Sequence, residues 1–195
     1  METIVEEKIW TDDELLVLPQ DGNKYEVVKG ELVMSPAGID HEEIGARLTA
    51  ALVNFVIPHK LGIVCTSSAG YWMKPRNPLL PKKRNFLSPD VSFLAKERLQ
   101  GLKRPPKKFF DGAPDLVVEI LSPSDTVELL HEKIVEYFDN GTRLLWVINP
   151  AEQIALVYHS PQPDRLLRSG EMLDGEQVIP GFTLPVAELF IEFEF

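Results

Sequence analysis

Cysteine and long apolar runs are almost missing from this chain. Cys65 is the only cysteine among the 195 residues, which excludes an intrachain disulfide and a zinc site made of several cysteines. No apolar run approaches the length of about 20 residues that a membrane helix needs, and residues 1–7 lack the basic start and apolar core of a secretory signal. We therefore expect a cytoplasmic protein without a membrane segment.

Several catalytic signatures are missing as well. The sequence has no Gly-rich phosphate-binding loop, no Gly-x-Ser-x-Gly nucleophile turn and no dinucleotide-binding fingerprint. Its four histidines show no metal-ligand spacing, such as two histidines one helical turn apart. A zinc hydrolase is therefore disfavoured.

The apolar residues that are present predict one mixed domain. Hydrophobic residues make up 44% of the chain, and no long linker interrupts it, so residues 1–195 are predicted to form a single domain. Thr11 and Glu14 have the spacing of a capping box, and Asp40 is predicted to cap a longer helix. Residues 115–148 follow the order strand, helix, strand of a parallel crossover, whereas the runs around Gly30 indicate an antiparallel hairpin.

The strand within this crossover carries the clearest chemical signal. Alternate side chains of a strand share a face, so Leu116, Val118 and Ile120 form an apolar face and Glu119 points to the opposite one. An ionised carboxylate among apolar neighbours is costly unless it is paired or binds a metal. We favour a metal ligand over the alternative, an edge strand with Glu119 in water.

Two further residues complete a candidate site for metal-assisted hydrolysis. Asp90 follows Pro89 at the start of an apolar strand, although a Pro-Asp pair is a weak signal alone and recurs at Asp115. Lys133 borders the apolar stripe of the next helix, so it either reaches the sheet or is a surface lysine with a packed stem. Carboxylates bind Mg²⁺ in proteins, and a nearby ammonium can orient water or offset phosphate charge.

The distribution of charge is uneven. A formal net charge of −10 disfavours nucleic-acid binding when it is averaged over the chain. Eleven of the 20 basic residues, however, lie between Lys74 and Lys108, on both sides of Asp90. This segment is either a phosphate-contacting surface or a solvated loop. The residues predicted to contact nucleic acid are Lys82, Lys83, Arg84, Lys103 and Arg104.

These motifs together resemble the Uma-two family of restriction endonucleases, from about Trp10 to Phe190. The most specific part is the segment 118–124, Val-Glu-Ile-Leu-Ser-Pro-Ser, followed by Lys133 and Asn140-Gly141. The other matching motifs are Tyr25-Glu26, Gly30-Glu31-Leu32, His41, Ser88-Pro89-Asp90-Val91, Pro114-Asp115-Leu116-Val117, Tyr137, Trp146 and Pro180-Gly181-Phe182.

The resemblance implies a restriction-endonuclease-like fold of the PD-(D/E)XK superfamily, an α/β (α+β) arrangement with a mixed β-sheet flanked by helices. It also implies DNA as the substrate and Mg²⁺ (or Mn²⁺) bound by Asp90 and Glu119. Glu26, His41 and Tyr137 are then expected to be accessory site residues.

One position departs from the superfamily pattern. The superfamily lysine stands two residues after the strand glutamate, where this chain has Leu121. Either Lys133 has taken over the role of that lysine as the third catalytic residue, or the fold no longer cuts and serves as a binding or interaction module. A small chain that addresses a duplex often forms a symmetric dimer, so a homodimer is also expected.

Overall fold

The computed structural model describes residues 8–19, 23–35, 38–75, 79, 84–100 and 109–191. The helices are α1 (Asp12–Leu16), α2 (Ile39–His59), α3 (Lys96–Leu99) and α4 (Val127–Asp139), with a 3₁₀ helix at Val186–Phe190. The strands are β1 (Lys24–Val28), β2 (Glu31–Ser35), β3 (Gly62–Thr66), β4 (Tyr71–Trp72), β5 (Phe86–Leu87), β6 (Val91–Ala95), β7 (Phe110–Asp111), β8 (Leu116–Ile120), β9 (Leu144–Asn149), β10 (Ile154–Tyr158), β11 (Pro163–Leu167), β12 (Met172–Asp174) and β13 (Thr183–Pro185). Within these ranges no helix is long and apolar enough to cross a membrane.

The larger sheet has six strands in the order β11-β10-β9-β8-β6-β3. β8 and β9 run parallel, while the other neighbouring pairs are antiparallel. A parallel pair needs a crossover connection, and α4 supplies it. The predicted mixed sheet and crossover are therefore confirmed.

A second sheet has five strands in the order β2-β1-β5-β4-β7. Its β1-β2 hairpin turns at Lys29 and Gly30, whose φ angles are 53° and 86°. Two successive positive φ angles match the twist of the flanking strands and close a two-residue hairpin. Val28 of this sheet shares an apolar cluster with Val117 of β8 and Ile134 of α4, so the two sheets meet beside α4.

β8 is buried on both faces. Leu116, Val118 and Ile120 pack in one apolar cluster with Leu48 of α2. Val117 points the other way, into the cluster beneath α4. The alternation predicted from the sequence is confirmed, and α2 and α4 cover opposite faces of the sheet.

The predicted helix starts agree with the structure at α1 and differ at α2. The capping box of Thr11 and Glu14 is confirmed at α1, and the side chain of Thr126 accepts a hydrogen bond at the start of α4. The prediction that Asp40 caps α2 is wrong, because the helix begins at Ile39 after Gly38 and has no side-chain cap. Asp40 instead lies in the first turn, where its negative charge interacts favourably with the positive end of the helix dipole.

Gly62, the first residue of β3, has no room for a side chain. A Cβ there would lie 2.0 Å from the carbonyl oxygen of Leu94 on the paired strand β6 and 2.7 Å from Cε2 of Phe93. We predict that Gly62→Ala lowers the free energy of unfolding by about 1–3 kcal/mol, because backbone atoms must move. Gly170→Ala is the matched control, since a Cβ there meets nothing within 4 Å. Chemical denaturation measures both, and equal midpoints would contradict the close approach.

Candidate active site

Three carboxylates from three separate segments of the chain converge at the place where the two sheets meet. Glu26 lies on β1, Asp90 directly precedes β6 and Glu119 lies on β8. The backbone N–H of Asp90 donates to the carbonyl of Val118 over 3.0 Å, which sets Asp90 beside Glu119. The three acidic residues are only 3%, 6% and 5% exposed, respectively. The alternative of a solvent-facing Glu119 on an edge strand is therefore excluded.

Lys133 of α4 lies between two of these carboxylates. Its Nζ donates to Oε2 of Glu119 over 2.8 Å and lies 3.0 Å from Oε2 of Glu26. The residue is 7% exposed, which rules out a solvent-facing surface lysine. Leu121, which stands in the usual lysine position, packs against the apolar cluster beneath α4. Lys133 of α4 thus brings an ammonium to Glu119, whereas the position two residues after Glu119 holds the apolar side chain of Leu121.

Tyr137 lies one helical turn after Lys133 and contacts the same glutamate. Its hydroxyl donates to Oε1 of Glu119 over 2.6 Å. Burial raises the pKa of the Tyr137 hydroxyl well above its usual value, and the negative charge of Glu119 raises it further. The hydroxyl therefore stays protonated and holds one oxygen of Glu119, while Lys133 holds the other.

Asp90 is held by the backbone and by His41. The N–H of Ile120 donates to Oδ2 of Asp90 over 2.7 Å, and Nε2 of His41 of α2 lies 3.2 Å from the same oxygen. Burial lowers the pKa of His41, but the hydrogen bond and charge of Asp90 outweigh burial and leave the pKa raised. His41 thus lies beside Asp90.

Glu26 is fixed from its other side by the chain that leads to Asp90. The backbone N–H of Ser88 donates to Oε1 of Glu26 over 2.7 Å. Since Oε2 of Glu26 faces Lys133, both carboxylate oxygens have a partner. Glu26 therefore links β1, the segment before β6 and α4.

Lys24 is a site residue that the sequence reasoning missed. Its Nζ lies 2.7 Å from Oδ1 of Asp90 and 3.9 Å from Oε2 of Glu119. A signal was available, because Lys24 stands two residues before Glu26 on β1 and alternate residues of a strand share a face. The pattern alone does not show, however, that this face meets Asp90 from another sheet.

Asp90 and Glu119 are electrostatically different. Burial raises the pKa of both carboxyl groups. At Asp90 the charge of Lys24 and the hydrogen bond from His41 outweigh burial and hold the pKa well below its usual range. At Glu119 burial outweighs the lysines and leaves the pKa raised. Asp90 is therefore the more firmly ionised of the two.

The donor set of the site suits a hard divalent cation. Oδ1 of Asp90 and Oε2 of Glu119 both face the point where the Lys24 ammonium lies. Mg²⁺ usually binds one or two carboxylates and keeps several waters, and Mn²⁺ also prefers such ligands. The described part of the chain contains no group of three or more His, Cys, Asp or Glu side chains that could hold a metal. The two carboxylates of Asp90 and Glu119 match the number that Mg²⁺ usually takes from a protein.

The second Pro-Asp pair has a different environment. Asp115 accepts hydrogen bonds from the backbone N–H of Ala95 over 2.9 Å and from Nε of Arg143 over 3.1 Å. Nη1 of Arg98 lies 3.7 Å from Oδ2 of Asp115, the oxygen that accepts from Ala95. These contacts tie the start of β8 to β6 and β9. Asp115 is thus a structural residue outside the carboxylate cluster.

Of the five residues predicted to contact nucleic acid, the structure describes only Arg84. Lys82, Lys83, Lys103 and Arg104 lie outside the described residues. Arg84 is described, and its guanidinium donates to the carbonyls of Met73 and Trp72 and pairs with Asp111. The contacts of Arg84 therefore join neighbouring strands of the smaller sheet.

The charged cluster opens into a cavity of about 500 Å³. Lys24, His41, Asp90, Glu119 and Lys133 line one part of it. The lining also includes apolar and aromatic residues, which are Leu15, Leu16, Leu18, Pro19, Tyr25, Phe86 and Phe109. A polar reacting group can thus reach the carboxylates while an apolar group packs beside it.

Comparison with known proteins identifies the fold and the family of the chain. A crystal structure described as "a putative nuclease belonging to DUF820 from Anabaena variabilis ATCC 29413" matches with a TM-score of 0.76 at 21% sequence identity, covering 93% of this chain and 97% of that one. This likeness confirms the predicted restriction-endonuclease-like fold. No curated protein matches the chain. The chain matches the Uma2 family, described as "Putative restriction endonuclease", over residues 12–187, and it therefore belongs to that family.

Proposed function

We propose that this protein is a metal-dependent nuclease that hydrolyses phosphodiester bonds of DNA. Asp90 and Glu119 bind Mg²⁺ or Mn²⁺, and Lys133 assists the reaction from α4. The observation that carries this proposal is the buried cluster of Glu26, Asp90 and Glu119, bridged by Lys24 and Lys133 at the edge of a cavity. Buried titratable groups with perturbed pKa values and specific charge partners at a cavity mark a candidate functional site.

The bound cation would supply Lewis-acid activation of the phosphodiester and would lower the pKa of water. The chain's own groups keep its ligands in position. The N–H of Ile120 orients Asp90, while Tyr137 and Lys133 each hold one oxygen of Glu119. Such fixed ligands need little reorganisation during the reaction.

Lys133 acts as a charged donor rather than as a base. Burial lowers the pKa of its ammonium, but the charges of Glu119, Glu26 and Asp90 outweigh burial and leave the pKa strongly raised. A group that keeps its proton can orient the attacking water and stabilise negative charge on the phosphate. Lys133 therefore fits the role of the superfamily lysine, although it comes from a helix.

Removal of either metal ligand should abolish cleavage. We predict that Asp90→Asn and Glu119→Gln lose Mn²⁺-dependent cleavage of DNA, because each replaces a charged oxygen donor by a neutral amide. The measurement is cleavage of single-stranded and double-stranded DNA, with RNA for comparison, at matched protein concentrations. Isothermal titration with Mn²⁺ should show weaker binding in both variants.

Asp115→Asn is the matched control for this experiment. Asp115 shares the Pro-Asp pattern but contacts Ala95 and Arg143 outside the cluster. We expect this variant to lose about 1–3 kcal/mol of stability and to keep its cleavage rate per folded molecule. Equal cleavage by wild type and Asp90→Asn would contradict the proposal. Absence of both Mn²⁺ binding and cleavage in the wild type would favour the interaction module instead.

The position of the lysine can be tested separately. We predict that Lys133→Met lowers kcat by about 10²- to 10³-fold, the usual range for loss of one hydrogen-bond donor that stabilises charge in the transition state. Adding Leu121→Lys to this variant introduces an ammonium two residues after Glu119, on the same face of the strand, and should restore part of the lost rate. Wild-type kcat in Lys133→Met would contradict the assigned role, and melting curves control for folding.

A further inference from the structure

The proposed mechanism gives no role to Lys24, although this residue has the shortest ion-pair contact with Asp90. Its side chain is 15% exposed, compared with 61% for Lys29, which follows the same strand. Nζ of Lys24 lies 2.7 Å from Oδ1 of Asp90. A lysine that gives up most of its hydration in this way needs compensating charges.

The two site lysines have different partners. Lys133 pairs with Glu119 and Glu26, whereas Lys24 lies 2.7 Å from Asp90 and 3.9 Å from Glu119. The Lys24 ammonium therefore bridges the two proposed metal ligands. The ammonium lies near Oδ1 of Asp90 and Oε2 of Glu119. A divalent cation bound by these two oxygens would need the same position.

The charge of the cluster shows what a cation would change. With ionised carboxylates, Glu26, Asp90 and Glu119 exceed Lys24 and Lys133 by one negative charge. A divalent cation would convert this excess to one positive charge. In a buried site, two cations within a few ångström of each other repel strongly, so the cation and the Lys24 ammonium cannot share the same oxygens.

We propose that Lys24 is an internal counter-cation that occupies the metal position in the metal-free protein and competes with Mg²⁺ or Mn²⁺ for Asp90 and Glu119. This inference rests on the proposed function, since it takes the same two residues as metal ligands. Lys24 lines the cavity, so the displaced ammonium remains near the space where substrate enters.

A phosphodiester anion would balance the extra positive charge and give the displaced Lys24 a new partner. Metal and substrate should therefore strengthen each other's binding. The metal replaces Lys24 as the partner of Asp90 and Glu119, and the phosphodiester replaces these carboxylates as the partner of Lys24. Such a coupling is reciprocal by thermodynamic necessity. Lys24 thus deepens the proposed function as a positioning residue that makes metal binding dependent on substrate.

The first test is Mn²⁺ binding without substrate. Lys24→Met keeps most of the aliphatic stem and removes the charge, so we expect the dissociation constant for Mn²⁺ to fall about tenfold, within the usual range of coupling between sites. Lys29→Met is the matched control, because Lys29 pairs with Glu132 away from the carboxylate cluster. Isothermal titration calorimetry should give wild-type affinity for this control.

A second readout uses stability. The metal-free Lys24→Met protein should melt below the wild type, because Asp90 loses its closest charge partner. Saturating Mn²⁺ should raise the melting temperature of Lys24→Met more than that of the wild type, since tighter binding stabilises the folded state further. Lys24→Gln provides a second neutral variant if the methionine variant does not fold.

The outcomes separate this inference from the proposed function. Equal or weaker Mn²⁺ binding in both neutral Lys24 variants, with Mn²⁺ binding and Asp90-dependent cleavage intact in the wild type, would overturn the role of Lys24 alone. Absence of Mn²⁺ binding in the wild type and in every variant alike would overturn both the role of Lys24 and the proposed function. Binding that appears only after Lys24 is neutralised would support the competition.

Discussion

Burial of three carboxylates in one small volume is the constraint on which the rest of this site depends. Glu26, Asp90 and Glu119 cannot stay ionised there without nearby positive charge and hydrogen-bond donors, because removal from water is costly. Lys24 and Lys133 supply the charge, and backbone N–H groups and a tyrosine hydroxyl supply donors. Loss of either lysine would increase the excess of buried carboxylates over lysines from one to two.

The fold meets this constraint with regular elements. The three carboxylates come from β1, from the residue before β6 and from β8, and the neutralising lysines come from β1 and α4. Side chains on packed strands and helices are held more closely than side chains on loops. The crossover β8-α4-β9 is therefore both a core element and the support of the site, since it carries Glu119 and brings Lys133 back over it.

The local sequence pattern was sufficient to predict the placement of some residues, but for others it gave a wrong prediction or did not identify their partners. The alternation of β8 identified Glu119, because a carboxylate opposite an all-apolar face has few stable explanations. Asp90 and Asp115 share the same Pro-Asp pattern, yet Asp90 meets Lys24 and Asp115 meets Arg143. The strand pattern places Lys24 on the same face as Glu26, but it does not identify Asp90 as its partner, because Asp90 lies 66 residues away in the sequence. Asp40 was read as a helix cap because its residue type favours that position, although the backbone begins the helix before it.

The sequence by itself determined the periodicity of the strands and helices, the crossover, the face of Glu119 and the family resemblance. Each of these depends on residues close together in the chain or on an ordered set of motifs. Only the tertiary structure decided which charges meet. Ion pairing depends on separation in space, and packing two sheets against α4 selected Lys133 over Leu121 as the neighbour of Glu119 and brought Lys24 to Asp90.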